Sequence, residues 1–279
     1  MKYHLTIIAI MAALPLVSCG DEPSWRVNIP AKLVSEWQST SFPSYHKSTD
    51  TYKAEYDGLN RPVKITRLYD DGVTYFTQID YSQGTIKSWY PGKEYEEILK
   101  FELDRDGRIR KVTDITSGES NPKSTTEYIY NTDGYISSLL RYKNIDGHFT
   151  GYIKTTYEYN GNTVTSLTEI DGRFDQKNIF TFTDKNDRSG TATPTSFFSY
   201  TPFNYETTLF MYWSGMLGRR IAKLCATDES TILYFENGVF YTDTFTYTPL
   251  HQLEFDNDGY VTSLLMYGDL FKFKYIYAK

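Results

Sequence analysis

Along most of the chain, apolar and polar residues alternate one by one in short runs broken by Gly, Asp and Asn. Phe101 and Leu103 fall on one side of such a run while Lys100, Glu102 and Asp104 take the other. Glu158 opposes Tyr157 and Tyr159 in the same way, and Glu254 opposes Leu253 and Phe255. A period of two sends successive side chains to opposite faces of a strand. The alternation therefore predicts an all-β chain whose strands have one aromatic, dry face and one charged, wet face, as antiparallel sheets do. The first strand is predicted near Lys32–Thr40. The last, Phe271–Tyr277, carries four aromatic rings on one side and needs partners on both edges, because an exposed aromatic edge invites aggregation. Its predicted neighbours are residues 260–267 and, through curling of the meander under its own twist, the first strand.

The breaks between strands repeat. Tyr56-Asp57-Gly58-Leu59-Asn60-Arg61-Pro62-Val63 is followed by Phe101-Glu102-Leu103-Asp104-Arg105-Asp106-Gly107, Tyr128-Ile129-Tyr130-Asn131-Thr132-Asp133-Gly134, Tyr157-Glu158-Tyr159-Asn160-Gly161 and Leu253-Glu254-Phe255-Asp256-Asn257-Asp258-Gly259. Glycines 84, 107, 134 and 161 stand 23, 27 and 27 residues apart, room for one hairpin and its connection. Asp or Asn followed by polar residues and Gly predicts a type I turn closed by a residue of positive φ, at Gly107, Gly134 and Gly259. The same Asp-x-Asp-Gly segments share letters with calcium loops. Those loops need a bidentate Glu at their twelfth position, where this chain has Thr113 and Leu265. Between Asp184 and Leu250 the repeat decays. Lys185–Thr195, rich in Asn, Asp, Ser, Gly, Thr and Pro, predicts a long exposed loop. Tyr205–Leu217 concentrates Leu209, Phe210, Met211, Tyr212, Trp213, Met216 and Leu217, a composition equally open to a further strand and to a short helix plugging one end of the sheet.

The N-terminus changes the picture. Lys2 and His4 precede an apolar stretch, Leu5–Val17, that ends in Leu16-Val17-Ser18-Cys19. A basic start, a short apolar core and a small residue before the cut define a secretory signal peptide, and the core is shorter than the ~20 residues of a membrane-spanning helix. The Leu-Val-Ser-Cys19 ending resembles the lipobox of bacterial lipoproteins, which implies a lipid on Cys19, so the expected organisation is a signal peptide over 1–18, a tether over 19–31 and a single all-β domain over 32–279.

Composition agrees: 26 Tyr and 17 Phe in 279 residues suit pleated, half-buried surfaces. Loss of residues 1–18 removes Lys2 and moves the net charge from −6 to −7, which argues against a nucleic-acid partner, since that would want a basic stripe, and against electrostatic adhesion to anionic lipid. With Cys19 acylated, Cys225 has no partner in the chain and, among Ile221, Ala222, Leu224 and Ala226, is expected to be an inert buried thiol.

The turn copies resemble the YD repeats of Rhs-type proteins, and the Leu-Val-Ser-Cys19 ending resembles a bacterial lipobox. With Asp21 and Glu22 behind the cysteine, Trp213-Ser-Gly-Met-Leu-Gly-Arg-Arg220 and the aromatic C-terminal strand, the chain is similar to an uncharacterised family of Bacteroidetes lipoproteins. That resemblance implies a porin-like β architecture, an antiparallel meander curled or barrel-like, and an address at the outer membrane facing the surroundings. It implies no activity.

The chemistry-bearing motifs are few. His46, His148 and His251 show no metal-ligand spacing, and there is no Cys-x-x-Cys, phosphate loop or nucleophile elbow, so no metal, cofactor or catalytic residue is predicted. Glu96-Glu97 and Asp70-Asp71 point to opposite faces and read as solvated charges. Trp89, Tyr90 and Tyr95 flank a Pro-Gly turn and are the candidate ligand-binding residues; the bland alternative is a Trp89–Tyr95 cross-strand pair covering the sheet end. The expected role is a lipid-anchored binding module for a glycan or another outer-membrane protein. A polysaccharide hydrolase with paired carboxylates, or a scaffold, are the rivals.

Overall fold

The computed structural model describes residues 32–41, 47–145, 148–188, 190–191, 193–236, 239–248, 250–266 and 271–278. The expected signal peptide, Cys19 and the expected tether lie outside the described residues. Seventeen strands form one antiparallel sheet. They are β1 (Val34–Ser41), β2 (Ser48–Tyr56), β3 (Pro62–Leu68), β4 (Thr74–Asp80), β5 (Thr85–Trp89), β6 (Glu97–Leu103), β7 (Ile109–Asp114), β8 (Ser124–Tyr130) and β9 (Ile136–Ile145). The second half holds β10 (His148–Asn160), β11 (Thr163–Ile170), β12 (Arg173–Asn186), β13 (Lys223–Glu236), β14 (Val239–Tyr247), β15 (Leu250–Phe255), β16 (Val261–Met266) and β17 (Phe271–Tyr277).

Each strand from β1 to β14 pairs with the next, and β15, β16 and β17 continue the ladder on the other side of β1. The aromatic C-terminal strand has the two neighbours expected of it: Phe273 pairs with Leu264 of β16 and with Ser39 of β1. The ring is nevertheless not closed, since no ladder joins β14 to β15 among the described residues.

The repeated turns lie at one end of the curled sheet, where β1 also starts and β17 finishes. Their chemistry is an Asx turn. Asp104 Oδ1 accepts the backbone N–H groups of Asp106 and Arg108, both at 2.9 Å, and Asp256 Oδ1 those of Asp258 and Tyr260, also at 2.9 Å. Asn131 Oδ1 does the same for Asp133 and Tyr135. These oxygens are engaged by their own loops, which accounts for Asp and Asn there without calcium. Gly107, Gly134 and Gly259 have φ of 79°, 86° and 83° as expected, whereas in the first copy Asn60, not Gly58, takes the left-handed position at 61°.

The inner face carries one core, running from Val34 and Trp37 through Ile65, Ile86, Leu99, Val112 and Leu139 to Phe180. The described residues between β12 and β13, 187–188, 190–191 and 193–222, enter this interior and plug it; the Asp187 N–H donates to the Ala222 carbonyl and pinches the base of the insertion. The expected exposed loop at Lys185–Thr195 is corrected here: Asp187, Gly190, Thr191 and Thr193 are buried, because the insertion folds inward and not over the surface. A 3-10 turn, Thr195–Phe198, leads to helix α1, Tyr205–Trp213. Asn204 caps α1 by accepting the Thr207 N–H at 2.9 Å, and Glu206 stands in the first turn, where the helix dipole favours a negative charge. Glu206–Trp213 are all buried, the polar Glu206, Thr207 and Thr208 with the rest. Trp213 meets Trp37, Phe210 and Tyr275 edge-on at 5.4–6.0 Å. Beyond α1, Gly218 lies so close to the sheet that an added Cβ would stand 2.6 Å from the Gly134 carbonyl oxygen, so no larger residue fits there.

The outer face is charged. Lys64–Glu55, Lys100–Glu119 and Lys53–Glu36 form cross-strand or near-neighbour ion pairs at 3.0–3.3 Å. Exposed pairs of this kind add little stability, but they place charge where a membrane-spanning barrel needs a lipid-facing apolar band.

Candidate functional site

The three sequence candidates do not form one site. Alternation along β5 turns Trp89 outward, where its ring meets Tyr95 at 5.3 Å and 88° and Phe76 at 5.7 Å, with Lys87 over Tyr95. Tyr90 packs instead on Tyr75 at 4.8 Å, and its hydroxyl lies 3.3 Å from that of Tyr69. The Cys225 thiol is buried and donates to the Thr227 carbonyl, and burial pushes its pKa up to about 12, which leaves it unreactive.

The arrangement with the most chemistry is a cleft of about 480 Å³ away from the Asx turns, between β17, β1, β2, β3 and the start of α1. Tyr52 and Phe273 line its floor, and both stack on Trp37, which lies buried behind them, at 4.2 Å and 5.5 Å. Phe271 and Tyr205 extend the aromatic lining. Over one edge lies Arg67, held by Asp50 Oδ2 at 2.7 Å from Nη2 and 3.2 Å from Nε. The guanidinium packs on the Tyr69 ring at 4.1 Å, and its Nη1 stands 3.9 Å from Glu206. Burial acts to lower the Arg67 pKa, but the Asp50 hydrogen bond and the nearby Tyr52 and Glu206 outweigh it and hold it above its ordinary value. Ser39, Ser41 and Ser48 add hydroxyls, the last two bonded to each other at 2.8 Å. Among the described residues lining the cleft, Asp50 is the one carboxylate; Glu206 is 3 % exposed beneath Arg67, and burial raises its pKa. An anchored charge pair, hydroxyls and a flat apolar floor can accept, donate and stack against a small polar ligand.

Further round the inner wall, Glu97, Asp114 and Arg141 face one another. The expectation that Glu97 is a solvated charge is corrected: it shares the inward parity of Leu99 and Phe101, and burial, with a contribution from Asp114, pushes its carboxyl up to about 7. Thr126 Oγ1 and Arg141 Nε beside it are buried without a protein partner. No group of three or more metal-ligating side chains forms among the described residues.

The fold thus defined is a curled, plugged antiparallel meander of the porin-like kind. It is similar to a porin-like protein from Bacteroides uniformis ATCC 8492, at 15 % identity over 88 % of this chain and 96 % of that one, with a TM-score of 0.58. A porin-like protein from Bacteroides vulgatus ATCC 8482 gives 13 % identity, 88 % and 99 % coverage and a TM-score of 0.53. At such identities the likeness is one of fold. No protein-family model and no curated protein matches the sequence.

Proposed function

We propose that this chain is a binding module held at the outer membrane by a lipid on Cys19, with the cleft over Asp50 and Arg67 as its site for a hydroxyl-rich ligand, the end of a glycan. The Asp50–Arg67 pair beside the Tyr52 and Phe273 rings, both braced on Trp37, carries this reading. A sugar offers adjacent hydroxyls to a carboxylate and a guanidinium fork, and a C–H face to aromatic rings. The plug argues against conduction through the interior, and the charged outer face against burial in lipid. The Bacteroides origin of the similar porin-like proteins supports an outer-membrane address. A hydrolase would want two carboxylates across the cleft, and the cleft presents Asp50 with Glu206 covered. Docking on another outer-membrane protein is a second reading, favoured by the aromatic β13–β14 hairpin, where Tyr234, Val239 and Tyr241 are 42–50 % exposed.

A glycan-array screen of the purified protein, repeated with Arg67→Ala and Asp50→Asn, tests the cleft. Retention of a defined glycan class that falls at least tenfold in both variants is expected. No retained glycan, or retention indifferent to both substitutions, overturns the reading.

A further inference from the structure

At the Asx-turn end, separate from the cleft, a second pocket of about 260 Å³ opens where the plug returns to the sheet. Its lining holds Arg219, Arg220 and Lys223 and no acidic residue, in a chain whose net charge is −6. From this geometry we infer that the pocket is a phosphate site, taking a phosphoryl group carried on a small head group.

Backbone bonds place the segment that carries the two arginines. The Arg219 N–H donates to the Gly134 carbonyl at 2.8 Å, and the Ile221 N–H to the Tyr212 hydroxyl at 2.7 Å. Both contacts fix the segment carrying the two arginines against neighbouring elements. Arg220 is 4 % exposed; burial lowers its pKa to about 10, with Tyr212 and the Asp187 carboxylate acting to raise it, so it stays charged at neutral pH. The Arg219 guanidinium lies 5.0 Å from the Tyr135 ring centroid and has no carboxylate within ion-pair distance among the described residues. Tyr135 in turn stacks on Tyr159 at 4.8 Å. Lys223 donates to the Asn162 side-chain oxygen, while its Asp184 neighbour, at 3.8 Å, is 92 % exposed and outside the lining. Arg220 has the Asp187 carboxylate beside it and Lys223 the exposed Asp184, which leaves Arg219 as the lining cation with no carboxylate at ion-pair distance among the described residues. A tetrahedral oxyanion supplies that counter-charge and offers acceptors to the Arg219 fork and the Lys223 ammonium together, and the stacked tyrosines supply an apolar wall for whatever carries it. The volume admits a head group and excludes a long polymer.

The test is titration of the full-length protein with glycerol phosphate at constant ionic strength, followed by phosphorus NMR line width. Saturable broadening is expected, weakened at least tenfold in Arg219→Gln and in Lys223→Gln, partly restored in Arg219→Lys, and unchanged in Arg67→Ala, which separates this pocket from the cleft. Absent broadening, broadening in both Gln variants as strong as in the natural protein, or equally tight competition by acetate overturns the phosphate assignment. Two arms separate the sources. Flotation with phosphatidylglycerol vesicles, lost in Arg219→Gln, identifies a lipid head group; glycerol phosphate binding without such flotation identifies a soluble phosphate ester.

Discussion

The hydroxyl of Tyr130, the last residue of β8, donates to the carbonyl oxygen of Ile109, the first residue of β7, at 2.6 Å. The same clasp recurs round the turn end: Tyr56 to Val34, Tyr81 to Pro62, Tyr159 to Ile136 and Tyr277 to Val261, at 2.6–3.0 Å. In each case the aromatic that closes one strand, or follows it into the turn, ties down the first carbonyl of a nearby strand. Two devices thus work along the turn end: an Asx turn shapes the copies at Asp57, Asp104, Asn131 and Asp256, and a tyrosine fastens five of the strands to a neighbour. Burial raises the pKa of every one of these donors whose titration is perturbed, Tyr56, Tyr81, Tyr130 and Tyr159, so they remain protonated.

Tyr130→Phe should therefore cost about 1–3 kcal/mol, because the Ile109 carbonyl loses its donor at a residue that is 0 % exposed. Denaturant unfolding would show it as a lower midpoint with an unchanged slope. Unchanged midpoints for both Tyr130→Phe and Tyr56→Phe would mean the clasps carry no stability.

Asp256 offers a sharper test of the turns. Hydrogen bonds from the Tyr260 backbone above all, with Lys32 and the Asp258 backbone, hold its carboxyl below the ordinary range. A depressed carboxylate stabilises the fold above its unfolded pKa, and that stability is lost as pH falls through the lower native value. Asp256→Asn keeps the acceptor, as Asn131 does, and should flatten the loss of stability below about pH 4. Asp256→Ala removes the acceptor and should cost on the order of 1 kcal/mol at neutral pH. Equal stability of the Asn and Ala variants at pH 7 would refute the Asx-turn account.

Glu97 gives the opposite sign. Its native pKa of about 7 lies above the unfolded value, so its contribution is full below about pH 4 and is lost as pH rises through 7. Relative to Glu97→Gln, the natural protein should lose on the order of 1–3 kcal/mol between pH 5 and pH 8. Thermal melts across that range measure it; parallel curves would place Glu97 in solvent.

Deleting residues 271–279 removes the strand between β16 and β1 together with Phe273 and Tyr275 from the core. Insoluble protein is expected, since both neighbours become open edges. A soluble, cooperatively unfolding truncation would show that β17 is dispensable.

Strand faces, turns and the meeting of the first and last strands were legible because each rests on local chemistry: a period of two, an Asx oxygen, an aromatic edge that must be covered. The plug was only half legible. Leu209–Trp213 reads as buried, but Asp187, Gly190, Thr191 and Thr193 of the polar run are buried as well, because Asp187 finds its partner about thirty residues on, at Ala222. The cleft was invisible for a related reason, since it assembles Ser39, Asp50, Arg67, Tyr205 and Phe271 from five distant segments. A signal for part of it was nonetheless present: Asp50 shares the parity of Tyr52 and Ala54, Arg67 that of Ile65, and Glu97 that of Leu99, so polar residues at inward positions marked the wall.

Because β1 rises from the Asx-turn end and β17 returns to it, both limits of the described domain emerge at the same pole. A lipid on Cys19 would then moor the molecule by that pole, like a cup standing on its base. The Asp50–Arg67 cleft would open toward the surroundings, where glycans are met, and the Arg219 pocket would look down at the bilayer. A reporter fused after Lys279 should accordingly be shielded on intact cells, while a probe attached at the β3–β4 turn should be within reach of an antibody.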